Sequence, residues 1–354
     1  LAVLFFCLHG KLLNGFSESF FLLTVGENFW KYGIMASPEY QFMGDTAPSS
    51  PFYITYFLAG LSVLFFGHTA LGAVAFVKLF IFLTLVLVYC LARKLSDSRT
   101  LGWVAAAFIL LFPSIREYSD CRGDYVAVFF GWLGISLLIF SIQQEILKSQ
   151  NSDPQISSGP ESRCLKWIPF MAGILAACAF LSHPYGLQFY MGACLVLLVS
   201  FFGIVGWLKN KITWLYFLGY GTFFSIFALF VIDWEKYLYI ISFFSSSLQF
   251  LPGNADYDAD FLFKFKNAAG PFFFMEKDGA YTKADPKYIS VFLFSLTIAV
   301  FVGTIWEAVT RQRFKIYRAF FLLYLAFAFL HIFFVAAYRP YAAHSMPLYA
   351  ILLT

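Results

Sequence analysis

The residues able to do chemistry in this chain are gathered in short polar segments between long apolar runs. The most polar of these segments is Arg116-Glu-Tyr-Ser-Asp-Cys-Arg-Gly-Asp124. A plain link of this length needs only Gly, Ser and Asn. Placing Arg116, Glu117, Asp120, Arg122 and Asp124 here makes either a neutralised structural cluster or a site. Asp124 directly precedes the run Tyr125-Val-Ala-Val-Phe-Phe, where an N-cap stands. In the functional reading it is a base or metal ligand, with Arg122 beside it to hold a phosphate. Asp120 and Arg116 either extend that site or are solvated loop charges.

Other candidates are scattered along the chain. Glu18, in Gly15-Phe-Ser-Glu-Ser-Phe-Phe, is either a first-turn acid behind a Ser17 cap or a catalytic or metal-binding carboxylate, able to take a proton from a hydroxyl. Lys78 lies inside the apolar Ala75-Phe-Val-Lys-Leu-Phe, where an ionisable side chain signals either a functional contact, such as with phosphate, or snorkelling toward the headgroups. His183, before Pro184, is a satisfied helix-end residue or a ligand. Arg339, with Tyr341 and His344, offers a grip on an anion. The chain contains no P-loop, HExxH, GxGxxG, or GxSxG with partners, which argues against nucleotide-driven, zinc-protease and hydrolase chemistry. Its Cys residues show no CxxC spacing, so neither a zinc site nor a disulfide framework is indicated.

The elements that must position these groups are helices in a membrane. Of 354 residues, 60% are hydrophobic and only 12% charged, against about 25% charge in a soluble domain, and the mean hydropathy is +0.74. Apolar runs near the roughly 20 residues needed to cross a bilayer recur at 71–91, 101–112, 125–140, 167–181, 187–207, 212–232, 288–306 and 319–337, with another beginning at Met346. Leu1 opens a short apolar run and Thr354 closes inside one, so both ends read as truncated spans. Residues 51–66 suit an interfacial or re-entrant helix better than a full crossing. The expected fold is an all-α polytopic transmembrane bundle, one domain over 1–354.

Orientation follows from the loops. Placing Arg93, Lys94 and Arg99 on the cytoplasmic side puts 12 of the 24 Lys and Arg there with only 5 of the 20 Asp and Glu, and the bias agrees at every loop. Strict alternation then sends 9–50, 116–124, 182–186, 233–287 and 338–347 to the outer face. Segment 143–166 reads as a flexible cytoplasmic linker.

In this order the residues resemble a family. A first-loop acid at Glu18 is followed by Pro51-Phe-Tyr53, Phe66-Gly67, a basic turn at Arg93-Lys94, an Arg-x-Asp at Arg122 to Asp124, and His183-Pro184-Tyr-Gly186. The series is similar to the GT-C membrane glycosyltransferases of the protein O-mannosyltransferase and aminoarabinose-transferase type, over most of residues 15–205. The resemblance implies a GT-C bundle with juxtamembrane helices on its outer face, in the cell's inner (plasma) membrane. It implies transfer of a sugar from a polyprenyl-phosphate carrier to a hydroxyl of a lipid, glycan or protein on the extracytoplasmic side. Membrane lipid is then a partner and nucleic acid is not.

Glu18 matches the family's first-loop acid and Asp124 its second-loop acid, which makes them the candidate catalytic residues. Arg122, Lys78, Asp120, His183 and Arg339 are the candidate substrate-binding set. The family's acidic pair is here Ser17-Glu18, and the lysine that some members carry before the Pro-rich element is absent from Ala47-Pro-Ser-Ser-Pro51, which leaves the donor phosphate to Lys78, Arg122 or Arg339. The chemistry admits a divalent cation without requiring a cofactor. The rival readings are a lipid or solute transporter, whose route the same charges would line, and an inactive membrane scaffold.

Overall fold

The computed structural model describes residues 17–33, 53–67, 69–111, 123–150, 166–183, 186, 190–203, 205–230 and 346–352. These residues form ten helices and no strand: α1 (Ser17–Tyr32), α2 (Tyr53–Phe66), α3 (Ala70–Ser96), α4 (Arg99–Leu111), α5 (Gly123–Gln150), α6 (Ile168–Ser182), α7 (Gly192–Phe202), α8 (Gly206–Lys209), α9 (Lys211–Phe230) and α10 (Met346–Leu352). Among them, stretches of α3, α5 and α9 are long and apolar enough to cross a membrane. The α5 stretch is 61% buried within the protein and that of α9 only 28%, which makes α5 the central post and α9 a peripheral one. On α9 Trp214, Leu218, Ile226 and Leu229 are exposed, an apolar surface that suits a helix of an integral membrane protein.

Local chemistry sets the helix ends. Thr69 stands in extended backbone ahead of α3, and its Oγ1 accepts the Gly72 N–H at 3.1 Å. Asp97 closes the same helix in the left-handed region, φ 55°, and Arg93 and Lys94 oppose the dipole in its last turn. Ser98 Oγ then accepts the Leu101 N–H, so α4 starts at once and runs back along α3, with Tyr89 against Trp103. Helix α6 ends at His183, whose φ of −155° and ψ of 133° are those of a residue that Pro184 keeps out of the helical region.

Contacts give the helix directions. Phe80 packs on Phe129 and Phe130, and further along both helices Lys94 lies 4.4 Å from the Phe140 ring centroid, so α3 and α5 run parallel. A Cβ on Gly134 would meet Ala172 O at 3.0 Å, while His183 lies beside Asp124, so α5 and α6 are antiparallel. A Cβ on Gly173 would meet Tyr216 O at 1.9 Å, and Phe180 packs on Phe224, so α6 and α9 are parallel. These directions match the alternation read from the loops.

Three expectations change. The presumed linker at 143–166 begins as helix, because Gln143-Gln-Glu-Ile-Leu-Lys continues α5 with good helix formers to Gln150. The span over 187–207 is broken at Gly203, whose φ of 80° ends α7 before the short α8. Asp124 is not a cap outside its helix but sits in the first turn of α5, behind Gly123.

Candidate functional site

Two of the residues singled out in the sequence meet at the end of the bundle opposite the basic turn of α3 and α4. His183 Nε2 lies 3.3 Å from Asp124 Oδ1, longer than a charge-assisted hydrogen bond of about 2.8 Å but well within ion-pair reach. The pair joins the first turn of α5 to the end of α6. Asp124 is 1% exposed and His183 3%, so this contact is made inside the protein. Pro184 is the reason His183 can reach: by ending the helix it releases the imidazole from the α6 surface.

The surroundings of the pair are built by residues that no motif marked. Thr55, in the first turn of α2, donates its hydroxyl to the Ser182 carbonyl at 2.8 Å, and both residues are fully buried. That carbonyl is one of the acceptors a helix C-terminus leaves over. Gly186 donates its N–H to the His183 carbonyl at 2.8 Å. A side chain there would meet Ala179 O at 2.4 Å, so only glycine lets the chain turn back onto α6 this closely. Tyr190, just before α7, is buried and lays its ring where a Gly131 side chain would be, 2.2 Å from the position a Cβ would take. Helices α2, α5 and α6 and the start of α7 therefore converge on one polar node in an apolar bundle.

Lys78 is 5% exposed on α3, so it faces the protein and the snorkelling reading gives way. The α3–α5 register puts Phe80 level with Phe129 and Phe130. At 1.5 Å per residue, Lys78 then stands about 5 Å below the level of Asp124 along the bundle. Glu18 falls in the first turn of α1, and its side chain lies outside the described residues. Arg116, Asp120, Arg122, Arg339, Tyr341 and His344 also lie outside them, as do 233–287 and the spans at 288–306 and 319–337. Helix α1 reaches the node through α2: Trp30 Nε1 donates to Phe57 O at 2.9 Å. On its outer surface Glu27 pairs with Lys31, and the hydrogen bond and charge of Glu27 hold that ammonium above its ordinary pKa. Among the described residues, no three His, Cys, Asp or Glu side chains come together to hold a metal.

A helical membrane bundle with this arrangement has the GT-C type of fold. The chain is similar in fold to a solved structure of the archaeal oligosaccharyltransferase AglB from Archaeoglobus fulgidus, in complex with an inhibitory peptide and a dolichol-phosphate. The TM-score is 0.57 at 12% sequence identity, over 99% of this chain and 49% of that one. The present chain thus spans about half the length of that enzyme, and the likeness is one of fold. No protein-family model and no curated protein matches the chain.

Proposed function

We propose that the protein is a membrane glycosyltransferase that moves a sugar from a polyprenyl-phosphate carrier to a hydroxyl acceptor at the outer face. The observation that carries this reading is the fold shared with an oligosaccharyltransferase whose structure holds a dolichol-phosphate. The motif series from Glu18 to Gly186 favours a donor of the protein O-mannosyltransferase and aminoarabinose-transferase kind. In the reaction, a carboxylate takes the acceptor proton as its oxygen bonds the anomeric carbon. The bond from that carbon to the phosphate oxygen breaks, and the lipid phosphate leaves with the electron pair.

Glu18 is the preferred base, because Asp124 is enclosed and engaged with His183. Arg122, Lys78 and Arg339 are the cations available to the departing phosphate, whose charge grows in the transition state. Asp120 is the further carboxylate near Arg122 in sequence, and a divalent cation bridging acid and phosphate is compatible with this set.

The test is transfer from radiolabelled polyprenyl-phosphate sugars in membranes holding the full-length protein. Glu18→Gln is expected to lower kcat by about 10²- to 10⁴-fold, the usual worth of a general base. Full transfer by both Glu18→Gln and Asp124→Asn would overturn the mechanism. Folded wild-type protein that transfers from no donor would move the assignment to a transporter or scaffold.

A further inference from the structure

We infer that the corner between α3 and α4 binds an anionic phospholipid of the leaflet at that end of the bundle, with Arg93 and Arg99 on the phosphate and Tyr89 and Trp103 beside the glycerol. The inference goes beyond the glycosyltransferase reading and does not depend on it. The corner lies at the end of the bundle opposite the Asp124–His183 pair and takes no part in the proposed reaction.

Its ground is the order of side chains along one seam. Val86, Cys90 and Arg93 follow one another at helical spacing on α3 and are exposed, as are Arg99, Trp103 and Val104 on α4. Gly102 lets the two helices close here, since a Cβ on it would meet Tyr89 O at 3.0 Å and Arg93 Cβ at 3.1 Å. The rings of Tyr89 and Trp103, with centroids 4.7 Å apart, join the two exposed stripes. From Val86 to Arg93 the helix rises about 10 Å. Over that distance the seam passes from apolar side chains, through two aromatic rings of the kind that settle at headgroup level, to guanidinium groups. A phospholipid has the same order from its acyl chains to its phosphate.

The charge fits as well. Among the described residues neither Arg93 nor Arg99 pairs with a carboxylate. Lys94 turns away onto the Phe140 ring of α5, and Asp97, exposed at the turn, offsets only one of the two guanidinium groups. The seam therefore keeps a positive charge, and the planar fork of Arg matches phosphate oxygens. A soluble anion would use the cations alone. The apolar stripe leading up to them commits the site to a lipid.

The experiment is native mass spectrometry of the full-length protein in detergent, titrated with dioleoylphosphatidylglycerol or with neutral dioleoylphosphatidylcholine. The first lipid adduct is expected to favour phosphatidylglycerol. Arg93→Gln/Arg99→Gln should weaken that adduct about 25-fold, at about 5-fold for each cation removed from the lipid phosphate. Lys209→Gln/Lys211→Gln, at the same end of the bundle, should leave it unchanged. Both double variants replace exposed side chains, and a wild-type thermal unfolding transition checks that they fold. A large excess of sn-glycerol 3-phosphate, the water-soluble headgroup, should not displace the lipid.

Equal binding of the two lipids, or an unchanged adduct in Arg93→Gln/Arg99→Gln, overturns the inference. An equal loss in Lys209→Gln/Lys211→Gln overturns it too, because the attraction is then that of the whole basic end. Displacement by glycerol phosphate would mark a site for a free anion and overturn the lipid assignment. Each of these failures leaves the transferase reading standing, since none involves sugar transfer.

Discussion

At the scale of single residues, the node around Asp124 shows how few polar contacts organise an apolar bundle. The hydroxyl of Thr55 and the carbonyl of Ser182 are both sealed from solvent, and each is the partner of the other at 2.8 Å. Replacing Thr55 with Val keeps the shape and removes the donor, leaving a buried helix-end carbonyl with one bond fewer. The expected cost is about 1 to 3 kcal/mol of stability, seen as an earlier thermal unfolding transition of the detergent-solubilised protein. An unchanged transition would mean that the Ser182 carbonyl finds another donor. Ser182 itself donates back to the Cys178 carbonyl at 2.7 Å, so the end of α6 is held from within and from α2.

Between elements, the close approaches are made by glycine against backbone. A Cβ on Gly60 of α2 would meet Gly26 O of α1 at 2.1 Å, and one on Gly26 would meet Tyr56 O at 2.2 Å. Gly219 of α9 stands the same way against Phe170 O of α6, at 2.0 Å. In lipid, helix association is driven by such packing because hydrophobicity no longer separates one apolar face from another. The same substitution should thus have opposite effects at two sites. Gly60→Ala pushes α1 off α2 and is expected to destabilise by about 1 to 3 kcal/mol, the range for overpacking. Gly221→Ala on α9, where a Cβ meets nothing within 4 Å, should stabilise by up to about 1 kcal/mol through helix propensity. Thermal unfolding of the two variants side by side decides this, and equal shifts in one direction would refute it.

For the whole molecule, parallel α3 and α5, antiparallel α5 and α6, and parallel α6 and α9 give the bundle two chemically different ends. One carries Arg93, Lys94, Arg99, Lys209 and Lys211, and the other the Asp124–His183 pair. The excess of positive charge is expected to face the cytoplasm. In a cysteine-free background, Arg99→Cys and Lys209→Cys should react with a membrane-impermeant maleimide only after the membrane is opened. Tyr32→Cys, at a residue 70% exposed at the end of α1, should react in intact cells. The reverse labelling pattern would invert the topology and remove the proposed site from the outer face.

The sequence by itself determined the helical class, the membrane setting and most helix positions, because these depend on composition, run length and local signals such as Pro184 after His183 or Arg93 and Lys94 before a turn. It also marked Asp124, His183 and Lys78 one at a time. Only the tertiary structure decided that Asp124 and His183 form a pair, that Lys78 faces inward, and that Thr55, Gly131 and Tyr190 complete the surroundings. The physical reason lies in the solvent. A helix in lipid is apolar on every side, so its sequence does not reveal which face meets which neighbour. That choice rests on the fit of glycines and rings between helices distant in the chain, and a Tyr or Thr within an apolar run gives no local sign of it.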